Sequence, residues 1–127
     1  MDIFCSNTFC AVYNINLNEN TMNAKQELRN ELIGISKEVS EILWAVIENK
    51  NKIFKLNPEY TPKELGEFLE NLDFEYDNGY GGQELYGIIA FNDNTWFDRY
   101  EYDGSESWDY HKFPDYEKSL KQLEEDY

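Results

Sequence analysis

Three strand-like runs follow one another in the C-terminal half of this chain, separated by two tight-turn sequences. They are Glu84–Asn92 (ELYGIIAFN), Thr95–Tyr102 (TWFDRYEY) and Glu106–Lys112 (ESWDYHK). All three are rich in the aromatic and β-branched residues that suit a pleated sheet. Asn92-Asp93-Asn94 and Asp103-Gly104-Ser105 lie between them, and Asn, Asp and Gly tolerate the backbone angles of a hairpin turn. Short turns force neighbouring strands to run antiparallel, so the segment predicts a three-stranded meander. Trp96, Tyr100 and Tyr102 share one parity of the second run, and Trp108 and Tyr110 share one of the third. Phe97, Arg99 and Glu101, then Asp109, His111 and Phe113, take the opposite parity. The expected sheet has an aromatic face that packs on helices and a mixed, partly acidic face. Asp98 interrupts the aromatic set.

Upstream, the period changes. Leu28, Leu32, Ile35, Val39, Ile42, Leu43, Val46 and Ile47 recur at spacings of three and four, which predicts an amphipathic helix from Asn23 to about Asn49. Thr21 or Asn23 would cap its start, and Gly34 and Ser36 mark a place for a bend or a break. Ile53–Leu56 is a short apolar run before Asn57-Pro58. Thr61-Pro62-Lys63-Glu64 combines an N-cap, a first-position proline and a capping-box acid. The second helix should end near Leu72 or Asp73, with Leu65, Phe68, Leu69 and Leu72 as its apolar stripe. After Pro114, Asp115 caps a last short helix, Tyr116–Glu125, with Tyr116, Leu120 and Leu123 on one side. Thr8–Asn16 (TFCAVYNIN) reads as a strand or an ordered arm. The expected architecture is one α+β domain over residues 1–127. A long N-terminal helix and a second helix pack on a three-stranded antiparallel meander, and a short C-terminal helix follows.

Charge narrows the class of partner. The chain has a formal net charge of −15, and residues 61–127 hold 18 Asp and Glu against 5 Lys and Arg. An acidic surface repels nucleic acid and anionic membranes and steers basic proteins toward it. Direct binding to DNA or RNA is built from Lys and Arg on phosphates, so it is not expected. At 17% aromatic and 41% hydrophobic residues, the chain has enough apolar material for a core, unlike a disordered acidic tail. No stretch approaches the roughly 18 apolar residues of a membrane span. Met1–Cys10 lacks the basic and apolar regions of a secretory signal. The expected setting is therefore cytoplasmic, in a bacterial host, with Cys5 and Cys10 reduced.

Chemistry-bearing patterns are sparse. Asp73, Glu75, Asp77 and Glu84 fall at positions one, three, five and twelve of a possible calcium loop. Asn78 stands where that loop needs its sharp-turn Gly, and a strand follows Glu84 instead of a helix. A glycine-rich helix-to-sheet connection is the plainer reading. Gly79-Tyr80-Gly81-Gly82 lacks the Lys-Ser/Thr of a phosphate loop. His111 is the lone histidine, and no Ser/His/Asp or Cys/His set has local support. No enzyme activity, cofactor or metal is expected.

The acidic meander remains as the candidate site. Asp98, Glu101, Asp103, Glu106 and Asp109 lie close together in sequence, on strands about 4.8 Å apart, where carboxylates could stand in for backbone phosphates. Tyr102 and Trp108 supply anchors of the kind interfaces favour. Thr95–Pro114 (TWFDRYEYDGSESWDYHKFP) resembles a segment of small phage and prophage proteins. In size, charge and compactness the chain also resembles phage-encoded DNA mimics and anti-CRISPR inhibitors. That resemblance implies a non-enzymatic inhibitor of a basic nucleic-acid-binding protein, such as a host-defence nuclease or CRISPR effector. The alternatives are an immunity protein against a nuclease toxin and a calcium-binding module using Asp73–Glu84.

Overall fold

The computed structural model describes residues 21–77 and 82–125. Thr8–Asn16, Cys5 and Cys10 lie outside the described residues. The elements are β1 (Thr21–Asn23), α1 (Ala24–Gly34), β2 (Ile42–Asn49), β3 (Lys52–Leu56), α2 (Pro62–Asn71), β4 (Glu75–Asp77), β5 (Leu85–Phe91), β6 (Thr95–Tyr102), β7 (Ser105–Lys112) and α3 (Tyr116–Glu125). A single 3₁₀ turn, Val39–Glu41, precedes β2. The main sheet has five strands in the order β3-β2-β5-β6-β7, and each neighbouring pair is antiparallel. β1 and β4 form a separate antiparallel ribbon.

Two expectations are corrected here. The long helix stops at Gly34, and its second half is strand β2. Asn23 caps α1 by accepting a hydrogen bond from the Gln26 N–H (2.9 Å). Leu28 and Leu32 are buried as the helical spacing predicts. Ser36 then adopts φ 58°, a left-handed turn that a helix does not continue through. Ile42–Asn49 (ILWAVIEN) is rich in β-branched and aromatic residues. Ile42, Ala45 and Ile47 all face the core, which gives a spacing of three and then two. The register of β2 against β5 shifts between Ile42 and Trp44. That bulge inserts one extra residue and makes a strand look helical in sequence.

The second correction follows from the first. The meander is extended by a β2–β3 hairpin into a five-stranded sheet. Asn49 pairs with Lys52, so the hairpin loop is Lys50-Asn51, with φ 52° and 68°. Both central angles are positive, as a type I′ turn requires, but neither residue is the glycine that would have announced it.

The capping box of α2 forms as read. The Glu64 N–H donates to Thr61 Oγ1 (3.2 Å), and the Thr61 N–H donates to Glu64 Oε1 (2.8 Å). Phe68, Leu69 and Leu72 are buried, and α2 packs along β3. Ala45, Ile47, Leu56, Ile89, Phe91 and Phe97 join Leu28, Leu32 and Phe68 in one core. Phe97 meets Phe91, Tyr110 and Trp108 at ring separations of 5.3, 5.7 and 6.0 Å. α3 forms, and the Lys118 N–H donates to Asp115 Oδ1 (2.9 Å). Its apolar side stays uncovered, since Tyr116 and Leu123 are 75% and 57% exposed.

Candidate functional site

The pleat of the sheet sorts its side chains into a core face and an open face. On the open face, register makes two cross-strand rows. One runs Val46, Ile88, Asp98, Asp109, and the other runs Trp44, Ala90, Trp96, His111. Val46, Tyr86, Ile88, Tyr100 and Tyr102 are all exposed there. Leu43, Trp44, Ile88, Ala90, Trp96 and Phe113 line a shallow groove of about 350 Å³. This face passes from apolar on β2 and β5 to acidic on β6 and β7.

The register also corrects the expected faces. Phe97 lies opposite Tyr110, and Arg99 lies opposite Trp108. Trp108 and Tyr110 therefore join Phe97 and Arg99 on the core face, while Trp96, Tyr100 and Tyr102 point outward. The parity within each strand was legible from sequence. The matching of parities between strands depends on the Asp103-Gly104 turn, across which Tyr102 pairs with Ser105.

The sequence-predicted site residues divide accordingly. Asp98 and Asp109 face each other on the open face. Tyr102 is 70% exposed, and Glu101 and Asp103 are exposed at the β6–β7 turn. There Glu101 Oε2 accepts the Gly104 N–H (2.8 Å). Glu106 and Trp108 are only 3% and 6% exposed and belong to the interior. The acids of the possible calcium loop do not converge. Glu75–Asp77 run extended in β4 with Tyr76 buried between them. The Asn23 side-chain amide donates to Asp73 (2.8 Å) and to Glu75 (3.4 Å). The Glu84 side chain sits 4.0 Å from Lys50 Nζ. Among the described residues, these four acids form no converging donor group.

Glu106 is one part of a buried ionic cluster that sequence reading missed. Arg99 Nη2 is 2.5 Å from Glu106 Oε1, and its Nη1 is 3.3 Å from Glu27 Oε2. Arg99 also donates to the Tyr76 hydroxyl (2.9 Å), which in turn donates to Glu27. The guanidinium lies 4.8 Å over the Trp108 ring. Glu106 further accepts the N–H groups of Glu84 (2.6 Å) and Leu85 (3.0 Å), which fixes the start of β5. Burial raises the Glu27 carboxyl above its ordinary range, against the pull of Arg99. Burial also raises the Tyr76 hydroxyl. One signal was available: Arg99 is the lone base among six acids between Asp93 and Asp109, and it shares the parity of Phe97.

The donor group that converges among the described residues is Asp98, Asp109 and His111, with ligand atoms within 4.8 Å of one another. His111 Nε2 lies 2.9 Å from Asp98 Oδ1 and 3.3 Å from Asp109 Oδ2. Trp96 stacks on the imidazole at 5.4 Å and 25°, and Phe113 meets Trp96 edge-on at 5.4 Å. No described helix is long and apolar enough to cross a membrane. Compared with models of known protein families, with curated proteins and with solved structures, the chain matches none.

Proposed function

We propose that this chain is a non-enzymatic inhibitor that captures a basic, nucleic-acid-binding protein on the open face of its sheet, with a host-defence nuclease such as a CRISPR effector as the partner class. The observation that carries this reading is the sorting of charge across β6 and β7. Arg99 turns inward and is neutralised in the core, whereas Asp98 and Asp109 turn outward beside exposed Tyr100 and Tyr102. Rigid aromatics next to carboxylates form the amphipathic anchors that basic partners meet at protein interfaces. Glu101 and Asp103 extend the acidic edge at the turn. Such a face competes for a cationic groove by steering and then by contact.

The test uses a panel of purified nucleic-acid-guided and toxin nucleases, with affinity read by biolayer interferometry at two ionic strengths. Combined reversal of Asp98→Lys, Glu101→Lys, Asp103→Lys and Asp109→Lys is expected to weaken binding at least tenfold and to flatten its salt dependence. Tyr102→Ala is expected to weaken binding with the salt slope unchanged. Binding that survives the charge reversal at both ionic strengths sinks the reading.

A further inference from the structure

The two opposed carboxylates on the open face pose an electrostatic problem of their own. Asp98 on β6 and Asp109 on β7 are direct register partners, and like charges directly opposite on neighbouring strands destabilise a sheet. Among the described residues, no Lys or Arg forms an ion pair with either; the group that reaches both is His111. His111 is two residues beyond Asp109 on the same strand, so backbone geometry places all three side chains on one face. The imidazole is also held in plane by the stacked Trp96, which Phe113 braces from the side.

The separations suit an ion. With bonds of roughly 2.0–2.2 Å, donors around a tetrahedral zinc stand about 3.4 Å apart. His111 Nε2 stands 2.9 and 3.3 Å from the two carboxylate oxygens, so small rotamer adjustments bring the three donors onto one centre. The donor types narrow the metal. Calcium and magnesium take all-oxygen shells, whereas an imidazole beside carboxylates suits zinc and its first-row neighbours. Three protein donors leave a further position open for water or for an outside ligand, and here that position faces solvent.

We infer that Asp98, Asp109 and His111 form a three-donor binding site for a divalent transition-metal ion, zinc by preference, on the open face of the sheet. The site shares Asp98 and Asp109 with the proposed partner-binding face, but its test is separate, because ion binding is measured on the isolated chain. The ion neutralises the two carboxylates and gives β6 and β7 a cross-link that the sheet hydrogen bonds alone do not supply.

The experiment is a zinc titration of the full chain bearing Cys5→Ser and Cys10→Ser, which removes the thiols as competing donors. Heat of binding is followed by calorimetry, and cobalt(II) substitution is followed by visible absorption. One ion per chain is expected, with the ligand-field bands of a low-coordinate cobalt site. His111→Ala and Asp98→Asn should each weaken binding at least tenfold. Glu101→Gln and Asp103→Asn, exposed acids outside the donor set, should leave it unchanged. All three donors are partly or fully exposed, so the variants are expected to fold, and matching far-ultraviolet circular dichroism checks this. Absence of saturable zinc binding by the parent chain overturns the assignment. So does binding that persists in His111→Ala, or a loss of equal size in Asp103→Asn. Calcium binding as tight as zinc binding overturns the choice of metal.

Discussion

Arg99 shows how far a single residue decides the way an acidic chain closes its core. Its guanidinium bridges Glu27 of α1 and Glu106 of β7 and lies over Trp108. Removing one partner of such a set leaves charge in a low-dielectric interior, and the loss exceeds what the ion pairs add when intact. Arg99→Met is therefore expected to cost about 3–5 kcal/mol, measured by urea unfolding. Adding Glu27→Gln and Glu106→Gln to that variant should recover part of the loss. A change below about 1 kcal/mol for Arg99→Met alone would contradict the burial argument. Asp93 works in the opposite direction at the surface. Its hydrogen bond from Lys37 (2.5 Å) and a second from Thr95 hold its carboxyl below the ordinary range. The folded chain thus favours ionised Asp93. The stability from this contact is present above the ordinary carboxylate range and is lost as pH falls through and below it. Asp93→Asn should flatten the acid limb of the Tm–pH profile, and an unchanged acid limb would show that the contact contributes nothing.

At the scale of elements, β2 and β5 depend on one close approach. A Cβ built on Gly87 would lie 2.4 Å from the Val46 carbonyl oxygen and 2.9 Å from Ile47 Cα, both backbone atoms. These atoms cannot step aside without parting the central strand pair. Gly87→Ala is expected to destabilise by about 2–3 kcal/mol, read as a fall in the urea midpoint. A neutral result would mean that β2 and β5 separate more readily than their register implies. The same pair explains why sequence periodicity misled. Helix α1 is a helix by capping, spacing and the turn at Ser36. Strand β2 continues the same three-and-four spacing only because the bulge between Ile42 and Trp44 adds a residue on its inner side. Helix α2 was legible to within a residue or two, since its box of Thr61, Pro62 and Glu64 is local chemistry.

At the scale of the molecule, the described helices α1 and α2 cover one face of the sheet, and among the described residues the other face keeps Val46, Ile88 and Tyr100 exposed. The core is built from α1, α2 and the inner side of five strands, while α3 contributes no buried residue. Truncation after Pro114 is therefore expected to change the unfolding free energy by less than about 0.5 kcal/mol and to reduce the helical circular dichroism by the share of α3, leaving that of α1 and α2. A larger loss would show that α3 covers apolar surface in solution. The open face concentrates exposed aromatic and apolar side chains beside Asp98, Asp109 and His111.

Sequence by itself determined the local features: the caps of α1, α2 and α3, the turns of the β5–β7 meander, the alternation within each strand and the acidic bias of residues 61–127. Each arises from interactions over a few neighbouring residues, or from a plain count of charges. Only the tertiary structure decided that Ile42–Asn49 is a strand, that the sheet has five strands, and which parity of β7 lies against which parity of β6. It also separated acids of the same composition into a buried pair around Arg99 and an outward pair beside His111. Those outcomes depend on register between segments distant in sequence. A shift of one residue in pairing would exchange the two faces, and nothing local to either strand sets that register.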